Sequence, residues 1–126
     1  MAKTRNRPVY LNLFQIRLPA TAIVSFGHRV AGVLLFLMIP GLIYLLDLSL
    51  HGPAGYQQAL SILGSGWFRL PAIVLIWAFV HHFFAGIRFL LIDLDIGVDK
   101  DAARRSAYLV HGATLIVLLV VVLMQW

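Results

Sequence analysis

Cysteine and glutamate are both absent from this 126-residue chain. Without thiols it forms no disulfide, offers no thiolate to a metal ion and holds no iron–sulfur cluster of its own. Charged residues make up only 12% of the sequence, whereas hydrophobic residues make up 61%. Such a composition cannot cover a water-soluble globule with polar surface, so it predicts a protein whose main solvent is membrane lipid.

The net charge of +5 does not indicate a nucleic-acid partner. The basic residues stand at the ends of apolar runs and do not follow one polar face. We interpret them as signals of membrane topology and expect no contact with nucleic acid.

Three segments are long enough to cross a bilayer, which takes about 20 apolar residues. They cover roughly residues 22–48, 68–93 and 106–126. We therefore predict an all-α integral membrane protein with three transmembrane helices in a single domain, residues 1–126. Thr21 is a plausible N-cap for the first span.

The segments between and before the spans are expected to be short and interfacial. Charges and prolines make the N-terminal segment unlike a secretory signal peptide, and Leu11 to Arg17 forms at most a short surface helix. Gly52, Pro53 and Gly55 predict a loop, followed by a short helix from Tyr56 to Leu63. A mixed-charge loop is expected from Asp93, Asp95, Asp99, Lys100, Asp101, Arg104 and Arg105.

Lys and Arg residues are distributed unevenly between the two ends of the spans. They precede the first span and lie between the second and third, whereas residues 51–66 have none. By the positive-inside rule, the N-terminus is cytoplasmic and the C-terminus periplasmic. We expect a multi-pass protein of the bacterial inner membrane.

Ionisable residues within the spans are the candidates for function, because a charge in hydrocarbon costs several kcal/mol without a partner. Six are singled out, and all six are expected in the half of the membrane predicted to be cytoplasmic: His28, Arg29, His81, His82, Arg88 and Asp93. Arg88 is expected to be a solvated cation near the end of the second span.

His82 lies about 21 Å along the second span from its outer end, too deep to reach water. A neutral imidazole is a standard axial ligand of haem iron, and Gly86 one turn later leaves room for a porphyrin edge. A structural hydrogen bond to another helix explains such a histidine equally well. His81 points about 100° away and competes for the role of ligand.

Ser25, His28 and Arg29 share one face of the first span. A guanidinium there can hold a haem propionate or a quinone carbonyl, and a serine hydroxyl can donate a hydrogen bond to a quinone oxygen. Alternatively, Arg29 extends to lipid headgroups and Ser25 bonds to its own helix. Gly32, one turn beyond His28, permits close approach of another helix.

Two strings carry a resemblance to a known family: RPVYLNLFQIRLPATAIVSFGHRVAGVLLF and HHFFAGIRFLLID. They resemble the cytochrome b membrane-anchor subunits of succinate dehydrogenase, respiratory complex II. The shared patterns are Arg-Pro followed by Ser-x-x-His-Arg, and His-x-x-x-Gly-Ile-Arg with a downstream Asp. Their order and the three-span plan agree over essentially the whole chain. His81 departs from the family where an aromatic residue is common, and Phe89 stands where some members have another histidine.

The resemblance implies that the chain is half of a heterodimeric helical bundle. A second three-helix anchor subunit would complete it, with an iron–sulfur subunit and a flavoprotein subunit on the cytoplasmic face. The two anchors would share one haem b, with His82 as one axial ligand of the iron and the other from the partner. His28 and Arg29 would approach the haem propionates, while Ser25 and Arg29 would line the ubiquinone pocket.

Other functional classes remain open from the sequence. The anchor of a fumarate reductase has a similar architecture and runs the chemistry in reverse. A small transporter is disfavoured because the chain has no glutamate and no aspartate in the middle of a span. A purely structural anchor would not explain why histidines and arginines are buried in the spans.

Overall fold

The structure, a computed structural model, describes residues 15–125, with side chains through Met124. This part of the chain contains no β-strand, which confirms the all-α prediction. Its four α-helices, with a short 3-10 turn at Gly66–Phe68 before the third, are α1 Ala20–Leu50, α2 Gly52–Leu63, α3 Arg69–Asp93 and α4 Lys100–Gln125.

Three stretches of helix are long and apolar enough to cross a membrane, in agreement with the predicted spans. They are Ala20–Leu50, Gly66–Asp93 and Lys100–Met124, with mean hydropathies of 2.3, 1.9 and 2.5. α3 packs against both α1 and α4, and so lies at the centre of the bundle. None of the most apolar window of α1 is buried within the chain. Its side chains must therefore contact lipid or another protein.

The third span starts earlier than predicted, because α4 begins at Lys100 and not near residue 106. The prediction of a mixed-charge loop is thus wrong from Lys100 onward. The charged residues suit a first helical turn: Asp101 complements the positive end of the helix dipole, and its carboxylate lies 3.5 Å from Arg104 Nη2. The connection between α3 and α4 is therefore short.

The corner between α1 and α2 also differs from the prediction. Helix α2 begins at Gly52, so Gly52, Pro53 and Gly55 belong to the helix and not to a loop before Tyr56. Gly52 adopts φ +84°, which turns the chain sharply after α1. Pro53 suits the first helical turn, where its missing N–H has no partner to lose. Gly55 lies directly against the carbonyl of Leu48 in α1.

The N-cap of α1 is Pro19, and the prediction of Thr21 is wrong. The Pro19 carbonyl accepts hydrogen bonds from the backbone N–H groups of Ala22 at 2.9 Å and Ile23 at 3.2 Å, and no side chain caps this end. The expected surface helix, Leu11 to Arg17, falls largely outside the described residues, and residues 16–19 are not helical. Trp126 also lies outside them.

Small residues form the contact surface between the spans. Ala31, Ala78, Ala85 and Ala107 are fully buried, and Ala85 and Ala107 form a core cluster with Val24 and Val110. Small side chains let helix backbones approach closely, which is the usual basis of packing between transmembrane helices. This close approach brings the polar groups of α1 and α3 into contact.

Substituting Gly27 should weaken the contact between α1 and α3. A Cβ at this position would lie 2.6 Å from His81 Nε2, and the His81 side chain is buried and has little room to move. We expect Gly27→Ala to destabilise the protein by about 1–3 kcal/mol through overpacking. The measurement is the thermal unfolding midpoint of the protein in detergent with its partners.

Gly41→Ala is the matched control, because a Cβ at Gly41 meets nothing within 4 Å and the residue lies on the same helix. Alanine there should leave stability unchanged or raise it by roughly 1 kcal/mol through helix propensity. Equal unfolding midpoints for both variants would contradict a tight α1–α3 contact at Gly27.

Candidate functional site

The imidazoles of His28 on α1 and His82 on α3 lie against one another. Their ring centroids are 4.0 Å apart with an interplanar angle of 10°. The two residues are 54 positions apart in sequence, so only the packing of α1 on α3 brings them together. Both are partly buried. The structure thus assembles two of the predicted site residues at one place.

A backbone hydrogen bond fixes the orientation of the His82 ring. His82 Nδ1 lies 3.1 Å from the carbonyl oxygen of His28. A carbonyl only accepts, so Nδ1 carries the proton in this bond and Nε2 of the neutral ring keeps its lone pair. Nε2 has no hydrogen-bond partner among the residues that the structure describes. This tautomer is the one that a metal-ligating histidine needs.

Two glycines shape the space around this histidine pair. A Cβ on Gly32 would lie 3.1 Å from His82 Cε1, so α1 leaves just enough room for the His82 ring. Gly86 faces His28, whose Nε2 would be 3.7 Å from a Cβ there. The space beside Gly86, which was expected to admit a porphyrin edge, is therefore occupied by the His28 ring of this chain. Phe89 meets the same ring edge-on at 5.2 Å.

Ser25 and Arg29 are also joined, as their spacing of four residues predicts. Arg29 Nη2 donates to Ser25 Oγ at 3.3 Å, and Arg29 Nε donates to the Ser25 carbonyl at 3.4 Å. Arg29 is exposed on the surface of the chain, while Ser25 is partly buried. The guanidinium is therefore held near the hydroxyl and remains accessible to a ligand from outside the chain.

His81 lies on another side of α3 and in a different environment. Its side chain is 2% exposed, and its Nε2 has no hydrogen-bond partner in the described part of the chain. Nε2 abuts the backbone of Gly27. The ring stacks near Trp77 at 5.5 Å and near His111 at 5.6 Å, beside an apolar cavity of about 340 Å³.

His111 on α4 was missed by the sequence analysis. The sequence did contain a signal for it, because an imidazole in an apolar span is unusual and generally has a partner. Its partner in the structure is the ring of His81, across the α3–α4 contact. The sequence could not reveal this pairing, since it depends on how α4 is rotated against α3.

Arg88 is not the solvated helix-end cation that was predicted. Only 6% of it is exposed, because α4 covers it. Its Nε donates to Ser106 Oγ at 2.9 Å, and its Nη2 donates to the Ala103 carbonyl at 3.2 Å. The prediction failed because position along α3 does not show what packs beside it. Asp93, by contrast, is exposed at the end of α3 and takes no part in the histidine site.

A bare metal ion is not suggested by the geometry. Within residues 15–125, no group of three or more His, Asp, Glu or Cys side chains is arranged to hold one. Haem makes a different demand, because the porphyrin supplies four ligands and the protein supplies one imidazole on each side of the iron. His82, with its free Nε2 and its anchored Nδ1, fits that requirement.

Two known proteins have sequences similar to this chain. A succinate dehydrogenase cytochrome b556 subunit of Coxiella burnetii is 35% identical over 121 residues, which cover 95% of this chain and 97% of that protein. A protein of the same name from Paracoccus denitrificans is 30% identical over 121 residues, covering 93% and 91% of the two chains.

The match to a protein family extends over nearly the whole chain. Residues 3–121 match the family described as succinate dehydrogenase/fumarate reductase transmembrane subunit. The matched region includes the histidine pair, the Ser25–Arg29 pair, the first two spans and most of the third. With its three apolar helices and its sequence matched over residues 3–121, this chain belongs to the succinate dehydrogenase/fumarate reductase transmembrane subunit family.

Proposed function

We propose that this chain is the membrane anchor of a succinate dehydrogenase that shares one haem b with a second anchor subunit and contributes to the ubiquinone-reduction site. The hydrogen bond from His82 Nδ1 to the His28 carbonyl is the observation that carries the proposal. In the neutral ring this bond places the proton on Nδ1 and the lone pair on Nε2, which is the tautomer that an axial haem ligand requires. The two similar proteins are both named as cytochrome b556 subunits, which supports the same function.

The choice of His82 over His81 rests on access to the second ring nitrogen. Nε2 of His81 lies against the Gly27 backbone, where even one added carbon atom would collide with it. An iron atom and a porphyrin therefore cannot approach that nitrogen. His82 is only partly buried, and α1 contacts the Nδ1 side of its ring. Nε2 thus remains available to a haem between this chain and a partner.

When bound, haem b supplies a one-electron redox centre. His82 would hold it through its imidazole, and the hydrogen bond to the His28 carbonyl would keep that ring from rotating. Arg29 is a suitable counter-charge for haem propionates, because its guanidinium is exposed next to His28 in sequence. His28 can donate a further hydrogen bond to a propionate.

Reduction of ubiquinone needs a polar pocket in an apolar surface. The Ser25 hydroxyl can donate to a quinone oxygen, and Arg29 can polarise the carbonyl as negative charge develops on it. The hydrogen bonds between the two residues pre-position both groups. Succinate oxidation belongs to the flavoprotein subunit, from which electrons arrive through the iron–sulfur subunit.

The exposed helix faces leave room for other subunits as well as for lipid. Phe36 is 71% exposed and Ile43 is 60% exposed, both on α1. The anchor supplies one good haem ligand where a six-coordinate b centre needs two. We therefore propose obligate pairing with a second three-helix anchor subunit, whose histidine completes the coordination.

Removing the His82 imidazole should remove the haem. In the complex purified through this chain, we expect a sharp b-type α-band in the reduced-minus-oxidised spectrum of wild type. We expect at least a tenfold loss of that band in His82→Ala, because the ligand nitrogen is gone.

His111→Ala is the control for the haem experiment, since His111 also lies within a span but contacts His81 and not His82. Its spectrum should match wild type. An unchanged band in an assembled His82→Ala complex would refute the ligand assignment. No band in wild type would leave the chain as a quinone-binding anchor without haem.

Disrupting the Ser25–Arg29 pair should slow quinone reduction without affecting succinate oxidation. We expect Ser25→Ala and Arg29→Gln each to lower succinate–ubiquinone reductase activity roughly tenfold, the effect of losing one hydrogen bond to a developing charge. Succinate oxidation with a water-soluble dye reports the flavoprotein alone and should remain at the wild-type rate. Equal losses in both assays would point to failed assembly instead of a quinone site.

The proposed membrane orientation can be tested by cysteine labelling, because the chain has no native cysteine. Ser61 lies in α2 and Asp99 just before α4, at opposite ends of the bundle. With the N-terminus cytoplasmic, an impermeant maleimide should label Ser61→Cys in sealed bacterial spheroplasts and Asp99→Cys only after lysis. The reverse labelling pattern would show that the N-terminus is periplasmic and would contradict the proposed orientation.

A further inference from the structure

The ring of His28 lies in a slot on the surface of α3. The slot is formed by His82, Gly86 and Phe89, which follow one another at intervals of four and three residues. At about 100° per residue these positions share one face of the helix, and Phe89 lies within about 20° of His82 around its axis. His82 and Phe89 are therefore the two walls of the slot. Gly86, which has no side chain, leaves the space between them open.

The two walls contact the His28 ring in different ways. The His82 ring lies face to face with it at 4.0 Å, whereas the Phe89 ring meets it edge-on at 5.2 Å with an interplanar angle of 71°. An edge-on contact sets the positive rim of one ring against the negative face of the other, which is a favoured arrangement. The His28 ring is thus enclosed between a parallel ring and a nearly perpendicular one.

Ring contacts are what hold the His28 side chain within the described residues. Neither nitrogen of its imidazole forms a hydrogen bond there, although its backbone carbonyl accepts one from His82. Its rotation is therefore limited by packing and not by a directional bond. If Phe89 were replaced by a smaller side chain, one side of the His28 ring would lose its contact.

Phe89 itself is held by its own neighbours. It is partly buried and packs against the core cluster that α1, α3 and α4 form together. The guanidinium carbon of Arg88 lies 5.4 Å from the centre of its ring, within the range of cation–π attraction. Arg88 is in turn bonded to Ser106 on α4. Phe89 is therefore a firm wall, supported by the rest of the bundle.

The His28 ring supplements the hydrogen bond that holds His82. That bond fixes Nδ1 of His82 at 3.1 Å from the His28 carbonyl. Hydrogen bonds to a carbonyl tolerate a broad range of angles, so the bond alone still permits the imidazole to rock. A second ring stacked on its face, with 10° between the two planes, limits this rocking.

We propose that Phe89 is a positioning residue for the haem ligand: it holds the His28 ring against His82 and thereby sets the plane of the imidazole that would ligate the iron. The inference rests on the proposed haem function. Partners that orient a metal-ligating histidine without touching the metal are a general feature of such sites. Because the plane of an axial imidazole affects the electronic structure of low-spin iron, the role of Phe89 has a spectroscopic signature.

Electron paramagnetic resonance of the oxidised, purified complex tests the proposal. In Phe89→Leu the lowest-field signal of the ferric haem should shift and broaden relative to wild type, because the His82 plane becomes less uniform. Phe84→Leu is the matched control. Phe84 packs against the same core cluster, but its ring contacts Phe83 and not His28. The signal of Phe84→Leu should coincide with that of wild type.

Haem retention gives a second readout. Transfer of haem from the oxidised complex to excess apomyoglobin reports how fast the ligand is released. We expect about two- to tenfold faster transfer from Phe89→Leu, the factor that corresponds to the loss of one aromatic pair. Phe84→Leu should release haem at the wild-type rate.

A sharp, unshifted signal in Phe89→Leu would overturn the positioning role and leave the haem function intact. Equal changes in Phe89→Leu and Phe84→Leu would also overturn it, because they would show a general loosening of the core. If Phe89→Leu does not assemble, Phe89→Met decides the question with the same two readouts, since methionine fills much of the volume without a rigid ring. Absence of a b-type α-band from wild type would instead refute the haem function on which the inference rests.

Discussion

The close contact of α1 with α3 is the constraint on which the site depends. Gly27 gives room to His81, and Gly32 gives room to His82, so two adjacent histidines of α3 reach α1 at separate places. With larger residues at these glycines, the helices would stand further apart and the 3.1 Å bond from His82 to the carbonyl of His28 would break. The proton position on that imidazole therefore follows from the packing of two helix backbones.

The two neighbouring histidines lie in different environments although they are the same residue type. His81 is enclosed by α1, Trp77 and His111, and its free nitrogen faces protein. His82 is anchored through Nδ1, and its Nε2 makes no hydrogen bond within the described residues. A rotation of about 100° between successive helix positions is enough to place them in these different surroundings. One side of α3 thus completes the internal packing, and another carries the imidazole that we propose as a haem ligand.

Much of this architecture could be predicted from the sequence, because length and apolarity alone determine which segments cross a bilayer. The Ser25–Arg29 pair was predictable for a similar reason, since helical spacing places the two side chains together. Features that depend on tertiary packing were not predictable. Local charge suggested a loop at Lys100, and position near the end of the second span suggested a solvated Arg88. Only the fold shows that helix α4 begins early enough to cover that guanidinium.

The bonds from Arg88 to α4 have a consequence for how the chain enters the bilayer during synthesis. An isolated helix that carries arginine at its centre inserts at a cost of roughly 2.5–3.5 kcal/mol, and less near its end. Once α4 has emerged, its Ser106 hydroxyl and Ala103 carbonyl can satisfy the guanidinium. Since the connection between these helices is short, α3 and α4 are suited to leave the translocon together as a helical hairpin, whereas α1 carries no such dependence on its successor.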